Sequence, residues 1–460
     1  MKNLTLYNAA KACGGRLYSY GAEPGQEVAG VALDSRQMKE GYLFIAARGE
    51  RVDGHDFIPE VFQKGAAGVI CERLPEQSGK PCILVEDSFQ ALKDIAEFYR
   101  QQLTLRIIGI TGSAGKTSTK EAIASVLATN YQVLKTEGNF NNEVGLPLTI
   151  LRIRDHHQAA VVEMGISDFG EMHRLSKIAR PDICVLTNIG QCHLERLLSR
   201  EGILRAKTEI FDFMQEDGLV CLNGDDDLLA TVTEVRGRKP ITFGLSASNQ
   251  VYADAVENRG LFGSRARVHV GSREFTADIP LPGEHMVYNA LAAACVGSLM
   301  EIGEEDMAKG IAHIQPVGGR SHVIQMGNRV IIDDCYNANP VSMCAALDLL
   351  ATALTRKVAV LGDMFELGEK ESRMHEKVGS YALDGRVDVL ICIGRLSEAM
   401  YEAARKKAEE KGETAENIYY FGDKKEFLDK RDRILQAGDT ILVKASHGMA
   451  FEEMVKALAE

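Results

Sequence analysis

A glycine-rich segment between two apolar patterns constrains the fold of this chain more than any other feature. The segment GITGSAGKTSTK (109–120) overlaps the end of the apolar run LRIIGI (105–110), and the run behind it places Ala122, Ile123, Val126 and Leu127 on one helical face. A buried strand, a glycine turn and a helix N-terminus together present backbone N–H groups and a positive dipole end to an anion. The pattern therefore predicts an α/β unit that binds phosphate.

The Gly-Lys-Thr core of this segment predicts a nucleoside triphosphate site of a shortened type. The common phosphate loop has another glycine five residues before the glycine of Gly-Lys-Ser/Thr, but Ile110 occupies that position here. We expect Lys116 to reach the β- and γ-phosphates and the Thr117 hydroxyl to bind Mg²⁺. The pattern leaves the reaction open. The predicted nucleotide contacts of the loop are Thr111, Gly112, Ser113, Ala114, Gly115, Lys116, Thr117 and Ser118.

The length and the order of the apolar runs predict three α/β domains. With 460 residues the chain is long for one core. Short apolar runs and a helical run at 88–101 predict a small N-terminal α/β domain over 1–100. Strand–loop–helix repeats predict a central domain over 101–316, with a mostly parallel sheet of the phosphate-loop type, flanking helices and an antiparallel ribbon. Beyond the linker PVGGR, four apolar runs before helical segments predict a Rossmann-like α/β domain over 317–460.

The composition limits the classes of ligand and compartment. The net charge of −12 argues against nucleic-acid binding, so anionic ligands must be met by local lysine, arginine, helix ends or metal. No stretch reaches the ~18 apolar residues of a membrane span, and the first residues lack the apolar segment of a signal peptide. Ten cysteines without a Cys-x-x-Cys pair predict reduced core thiols. We expect a cytoplasmic protein.

Three further residues predict a metal site beside the loop. Glu163 ends the run AAVVE at the edge where open α/β sheets bind ligands, and His193 follows the next strand. Each of these alone fits a solvated side chain about as well. Lys207 lies four residues after Ile203 on the apolar face of EGILRAKTEIFDFM, where a lysine is costly unless it is paired or neutralised. The alternative is a lysine whose ammonium reaches the edge of the helix.

A buried Lys207 would have a lowered pKa, and its neutral amine could react with CO₂. The product is a carbamate, which replaces a cation by oxygen ligands of the kind Mg²⁺ prefers. Thr117, Glu163, His193 and the carboxylated Lys207 would then form a two-metal site for phosphoryl transfer.

Taken together, these motifs resemble the Mur ligases, which build the peptide of the bacterial cell-wall precursor. The resemblance rests on TGSAGKTSTK, VVEMG, HLE with the lysine of AKTEIF fourteen residues beyond its histidine, and HMVYNALAA, and it covers essentially the whole chain. The segments DSRQMKEGYLFIAARGERVDGHDF, GNFNNEVGLPLTIL, IDDCYNANPVSM and VLGDMFELG are similar to the MurF branch. The Asp-Asn-Pro-Arg motif of the tripeptide-forming branch and the dinucleotide-type loop of the first branch do not occur in this sequence.

The resemblance implies an ATP-dependent ligase that joins D-alanyl-D-alanine to UDP-N-acetylmuramoyl-tripeptide through an acyl phosphate. It implies ATP, Mg²⁺ and a carboxylated Lys207, with Lys116, Glu163, His193, Lys207, Arg320 and Asp334 as the catalytic set. It places Ser35 and Arg36 at the uridine diphosphate, and His285 and Asn289 at adenine. It places Arg320 and Asp334 at the nucleotide. The other implied substrate contacts are Asn142, Asn337, Asn339, Lys444 and Ser446.

Two positions depart from the family pattern, and two other functions stay open. Met286 stands where the family often has asparagine, and His447 where it usually has arginine. One alternative is a folylpolyglutamate-type ligase with a glutamate acceptor, which would not need the DSR…GERVDGH segment. The other is a switch that hydrolyses ATP slowly, which would need neither an inward Lys207 nor the YNANP segment. The third residue of the tripeptide leaves no mark in the sequence.

Overall fold

The computed structural model describes residues 1–21, 23, 25–49, 52–75 and 79–459. They fall into two compact units. One consists of Met1–Asp254, Val268–Phe275 and Tyr288–Ile311, and the other of Ala255–Arg267, Thr276–Val287 and Ala312–Glu460. Three sheets with flanking helices run through the described residues, as the α/β prediction requires. The domain boundaries at 100 and 316 stay predictions. Within the described ranges, no helix has both the length and the apolar character needed to cross a membrane.

The first sheet has five strands in the order β1-β5-β4-β3-β2. Only the β1–β5 pair is antiparallel. The predicted apolar runs form β2 to β5, whereas β1 is short and half-buried and was not predicted. The predicted helical run forms α3, whose N-cap Asp87 accepts two backbone N–H groups. The elements are α1 Leu6–Ala12, β1 Arg16–Tyr18, β2 Gly30–Ala32, β3 Tyr42–Ile45, α2 Ile58–Gln63, β4 Gly68–Cys71, β5 Cys82–Leu84 and α3 Ser88–Arg100.

The second sheet has nine strands in the order β14-β13-β12-β11-β10-β9-β6-β8-β7. Its elements up to α8 are β6 Arg106–Thr111, α4 Lys116–Leu127, β7 Val133–Lys135, α5 Gly145–Ile150, β8 Ala159–Glu163, α6 Glu171–Ala179, β9 Ile183–Leu186, α7 Leu194–Leu197 and α8 Arg200–Thr208. They continue with β10 Leu219–Asn223, β11 Ile241–Gly244, β12 Val251–Asn258, β13 Ser264–Val270, β14 Arg273–Ile279, α9 Glu284–Leu299 and α10 Glu304–Ala312. Strands β13 and β14 contain the two runs of the predicted ribbon, and β12, β13, β14 and α9 are divided between the two units.

The register of the second sheet brings three strand ends to one edge. Strand β6 lies between β8 and β9 and is parallel to both. Ile110 is opposite Glu163, and Thr111 is opposite Leu186. The strands are buried on both faces, which explains their continuous apolar runs. The phosphate loop, Glu163 and the segment after β9 therefore start from the same edge.

The third sheet has six strands in the order β15-β16-β20-β17-β18-β19, and only the β15–β16 pair is antiparallel. The four predicted runs form β16, β17, β18 and β20. Strand β20 lies between β16 and β17, so residues after β16 and β17 share an edge with the end of β20. The elements are β15 His322–Met326, β16 Arg329–Asp333, α11 Pro340–Ala351, β17 Lys357–Gly362, α12 Glu371–Ala382, β18 Val389–Ile393, α13 Ser397–Lys411, β19 Ile418–Phe421, α14 Lys424–Ile434, β20 Thr440–Lys444 and α15 Glu452–Ala459. All ten cysteines are free thiols and most are buried, as predicted.

Candidate active site

The glycine loop joins β6 to α4 in the conformation that its glycines allow. Gly112 has φ +152° and Gly115 has φ +78°, both in the region that side chains disfavour. A Cβ at Gly112 would lie 1.9 Å from Thr187 Oγ1, so the close approach also requires glycine. Lys116 is the first residue of α4, and its ammonium donates to the carbonyl of Gly112 at 2.9 Å. The loop and the N-terminus of α4 thus form the predicted anion site.

The loop is anchored by the segment that follows β9. Ser113 N donates to Asn188 O at 2.9 Å, and Ala114 N donates to Asn188 Oδ1 at 3.0 Å. The Thr187 hydroxyl donates to Ala114 O at 2.6 Å. No role was predicted for Thr187 or Asn188 from the sequence. These bonds fix the loop from the neighbouring strand.

Glu163 lies beside the loop, as its strand-end position predicted. It is buried, and its Oε2 accepts the hydroxyl of Thr117 at 2.9 Å. Its Oε1 accepts Asn141 Nδ2 at 2.8 Å, and its N–H donates to Thr136 Oγ1 at 3.0 Å. Both carboxylate oxygens and the backbone are therefore held in place.

The contact from Asn141 was missed, because the sequence reading chose its neighbour Asn142. The Asn142 side-chain oxygen accepts the N–H groups of Val144 and Gly145 at 3.1 and 2.8 Å. It therefore stabilises the turn into α5. A substrate contact of Asn142 stays a prediction.

Lys207 faces inward on α8, as the helical periodicity predicted. Its side chain is 1% exposed, and Ile203 and Ile210 on the same face are fully buried. The pKa of Lys207 is lowered from 10.5 to about 7, first by burial and also by the nearby ammonium of Lys116, with Cys192 acting in the opposite direction. The structure thus brings Lys207 within electrostatic range of the phosphate-loop lysine.

His193 lies next to α7 and is exposed, with a left-handed φ of 50°. Its carbonyl accepts the N–H groups of Arg196 and Leu197. Within the described part of the chain, no group of three His, Cys, Asp or Glu side chains could hold a metal ion. The predicted metal set contains only Glu163 and His193 of these types, so it depends on Thr117 and on a modified Lys207. The metal roles stay predictions.

Asn289 lies on α9 against the helix that carries the loop lysine. It is buried, and its Oδ1 accepts the Thr119 hydroxyl at 2.7 Å. His285 is exposed and belongs to the first turn of α9. The adenine contacts of Asn289 and His285 stay predictions.

The residues predicted at the uridine diphosphate lie in a short 3₁₀ turn, Ser35–Gln37. Ser35 is buried, and its carbonyl accepts Lys64 Nζ at 2.9 Å. Arg36 is largely exposed and pairs with Asp34 at 2.6 Å. An exposed pair of this kind contributes little to stability, so the guanidinium can exchange partners.

The segment ARGERVDGH contains His55, whose hydrogen bonds indicate a structural role. His55 is buried, its Nδ1 donates to Asp53 Oδ1 at 2.7 Å, and its Nε2 accepts Glu72 N at 2.9 Å. The backbone N–H of His55, which also donates to Asp53 Oδ1 at 3.0 Å, and the Nδ1 bond lower the pKa of Asp53 to about 2. His55 is therefore a neutral histidine whose two ring nitrogens both have hydrogen-bond partners, and it holds the segment in place. Glu50 and Arg51 of this segment lie outside the described residues.

In the second unit, residues after β16 meet the end of β20. Lys444 is buried, and its Nζ donates to Asp334 Oδ2 at 2.6 Å and to Asn337 O at 3.0 Å. The guanidinium carbon of Arg320 lies 4.0 Å from the centroid of the Tyr336 ring, and the His447 ring centroid lies 5.5 Å from it. Tyr336 was not predicted as a site residue, although it is the first residue of the YNANP segment.

Two other predicted substrate residues of this unit have clear structural bonds. Asn339 caps α11, because its Oδ1 accepts Ser342 N at 2.9 Å in a capping box. The Ser446 hydroxyl oxygen accepts Phe365 N at 2.9 Å. Substrate contacts of Asn339 and Ser446 stay predictions.

A shortened phosphate loop followed by a buried carboxylate and a buried lysine, in a chain with a third α/β sheet, defines a nucleotide-dependent enzyme of the phosphate-loop class. Three family models match the chain: the Mur ligase family catalytic domain over 27–133, the Mur ligase middle domain over 110–297, and the Mur ligase glutamate ligase domain over 319–447. The chain belongs to the Mur ligase family, and its relatives lie in the MurF branch.

The relatives match over nearly their whole length. A Bacillus subtilis protein named UDP-N-acetylmuramoyl-tripeptide–D-alanyl-D-alanine ligase is 40% identical over 440 residues, which are 94% of this chain and 93% of that protein. The crystal structure of MurF from Acinetobacter baumannii is 31% identical with a TM-score of 0.88, covering 99% of this chain and 98% of that one. MurF from Thermotoga maritima in complex with ADP is 30% identical with a TM-score of 0.80, covering 93% and 96%. The resemblance read from the motifs is confirmed.

Proposed function

We propose that this protein is an ATP-dependent ligase that joins D-alanyl-D-alanine to the C-terminal carboxylate of UDP-N-acetylmuramoyl-tripeptide. The carboxylate takes the γ-phosphoryl group of ATP, giving an acyl phosphate and ADP, and the dipeptide amine then attacks the carbonyl and expels phosphate. The observation that carries the proposal is the anchored phosphate loop beside Glu163 and Lys207, in a chain that matches MurF relatives from end to end.

The residues of the loop supply positioning and charge. Lys116 and the amide groups at the N-terminus of α4 neutralise the charge that develops on the transferred phosphoryl group. The ammonium of Lys116 donates to the Gly112 carbonyl, a neutral acceptor that a phosphate can replace. Catalysis by this set is mainly alignment of two anions and one amine.

The donor set beside the loop fits Mg²⁺. Adjacent oxygen ligands at the 2.0–2.1 Å distances of octahedral Mg²⁺ lie about 2.9 Å apart. Thr117 Oγ1 and Glu163 Oε2 are 2.9 Å apart, and both are hard oxygen donors. Bound Mg²⁺ would neutralise phosphate charge, and Thr117 and Glu163 would hold it, with His193 as a proposed further ligand.

We further propose that CO₂ carboxylates Lys207. The neutral amine adds to CO₂, a C–N bond forms, and one proton leaves to solvent. The support is the burial of Lys207, which disfavours its charged form, and the position of Lys116 nearby, for which an anionic carbamate would be a favourable neighbour. The carbamate would add an oxygen donor to Thr117 and Glu163.

The acceptor site is proposed at the edge where β16 and β20 end. Lys444, which also donates to the carbonyl of Asn337, supplies an ammonium group that suits the carboxylate end of a zwitterionic dipeptide. His447, where the family usually has arginine, lies next to Tyr336. The nucleotide contacts of His285, Arg320 and Asp334 stay proposals, as do a monomeric state and a cytoplasmic location.

Phosphate release in a defined mixture tests the function. It should require ATP, Mg²⁺, the nucleotide-linked tripeptide and D-alanyl-D-alanine together, because buried polar partners left unpaired by a single amino acid are costly. Free D-alanine, L-lysine or diaminopimelate should give little turnover. Turnover with L-glutamate and a folate would favour the folylpolyglutamate alternative. ATP hydrolysis that is equally fast without any acceptor would favour the switch.

A further inference from the structure

Helix α4 carries a buried lysine that has no part in the phosphate chemistry described above. Lys120 lies one helical turn beyond Lys116, and its side chain is 2% exposed. A lysine in such a place is costly unless its ammonium is paired and hydrogen-bonded. Its contacts therefore indicate what it holds in place.

The ammonium of Lys120 holds the residue that follows β7. Its Nζ donates to the carbonyl of Thr136 at 2.7 Å and forms an ion pair with Glu121 at 3.1 Å. Thr136 is itself buried, and its N–H donates to Val161 O at 3.0 Å. Its hydroxyl oxygen accepts the N–H of Glu163 at 3.0 Å. Thr136 is thus bonded through its amide, its carbonyl and its side chain.

These bonds form two routes from α4 to Glu163. The direct route runs from the Thr117 hydroxyl to the carboxylate. The indirect route runs from Lys120 through Thr136 to the backbone of Glu163. Because both routes start on one rigid helix, they fix the carboxylate relative to the phosphate loop in position and in direction.

We propose that Lys120 is a positioning residue that orients Glu163 for the metal of the ATP site. The proposal rests on the proposed role of Glu163 as a metal ligand. A residue that orients a ligand in this way commonly changes metal affinity by about 10–100-fold when it is lost. A residue needed only for folding would weaken metal-dependent and metal-free nucleotide binding alike.

The test uses the full chain and two shape-conserving variants, Lys120→Met and Thr136→Val. Mn²⁺ affinity is measured by electron paramagnetic resonance in the presence of AMP-PNP, and AMP-PNP affinity without metal is measured by calorimetry. We expect each variant to bind Mn²⁺ about tenfold more weakly and to bind metal-free AMP-PNP within about twofold of the parent. Because Lys120 and Thr136 act on the same route, the Mn²⁺ affinity of the double variant should be little lower than that of the single variant with the lower affinity.

Glu121→Gln is the matched control, since it removes the outer ion pair of Lys120 and leaves the bond to Thr136. Its Mn²⁺ affinity should stay within about twofold of the parent, because the bond from Lys120 to Thr136 that orients Glu163 remains. Unchanged Mn²⁺ affinity in a folded Lys120→Met or Thr136→Val protein would overturn the proposal, as would additive losses in the double variant. If Lys120→Met does not fold, Thr136→Val decides. If the variants show the expected Mn²⁺ affinities but the parent does not ligate the dipeptide, the proposed function is refuted and the positioning role of Lys120 is not.

Discussion

The buried amine of Lys207 leads to a quantitative prediction of how the folding stability of the protein depends on pH. Lowering its pKa from 10.5 to about 7 corresponds to about 5 kcal/mol against the charged form, at about 1.4 kcal/mol per pKa unit. Between pH 7 and pH 10.5 the unfolded chain binds more protons at this site than the folded one. Stability therefore rises with pH across that window, and the full penalty is present below pH 7.

The perturbation is Lys207→Met, which keeps the apolar stem and removes the titrating group. We expect the variant to be more stable than the parent at pH 6 and pH 7 in CO₂-free buffer with a metal chelator. Its advantage should shrink by about 2 kcal/mol between pH 7 and pH 9, and change by less than about 0.5 kcal/mol between pH 6 and pH 7. Lys39→Met, at an exposed lysine of the same unit, should show no such trend.

The assay is amide hydrogen exchange in peptides from β6, β8 and β9, which report on unfolding of the unit that contains Lys207. Parent and variant are compared at the same pH, so the intrinsic exchange rates cancel. Bicarbonate with Mg²⁺ should then stabilise the parent and not the variant, because only the parent can form the carbamate. If the stability advantage of Lys207→Met over the parent were constant from pH 6 to pH 9, or grew with pH, the amine of Lys207 would not be buried without a compensating charge.

Three other variants test the loop and its supports. Lys116→Ala should lower kcat by a factor of about 10² or more with an unchanged circular dichroism spectrum, and near-normal phosphate release would contradict its role. Asn188→Ala removes two bonds to Ala114 and should raise the KM for ATP about tenfold in steady-state assays; an unchanged KM would show that the loop holds itself. Ser199→Ala removes the cap of α8 at Gly202 N and should cost about 1 kcal/mol in urea unfolding, and no loss would show that solvent replaces it.

The parts of the site that the sequence predicted follow from short-range rules. The position of Lys207 came from helical periodicity relative to Ile203, and that of Glu163 from the end of a buried strand. Both rules need only a few neighbouring residues. The three strand runs around the loop were recognisable for the same reason, since strands buried on both faces have continuous apolar sequences.

The missed parts depend on bonds between segments far apart in the chain. Ala114 and Asn188 are 74 positions apart, and nothing in either segment indicates that they meet. Asn141 and Asn142 are adjacent in a loop, and only the path of the backbone decides which side chain faces Glu163 and which stabilises the turn into α5. Periodicity gives no information in such a loop.

The anchoring of the phosphate loop has a consequence for the thermodynamics of nucleotide binding. A flexible glycine loop loses backbone entropy when it closes around a phosphate, about 1–2 kcal/mol for each residue that becomes ordered. Here Ser113 and Ala114 are already fixed by Thr187 and Asn188. That entropy is lost during folding, so the loop is already ordered when ATP binds. Less of the free energy of the ATP contacts is then offset by ordering of the loop, and the affinity for ATP is higher.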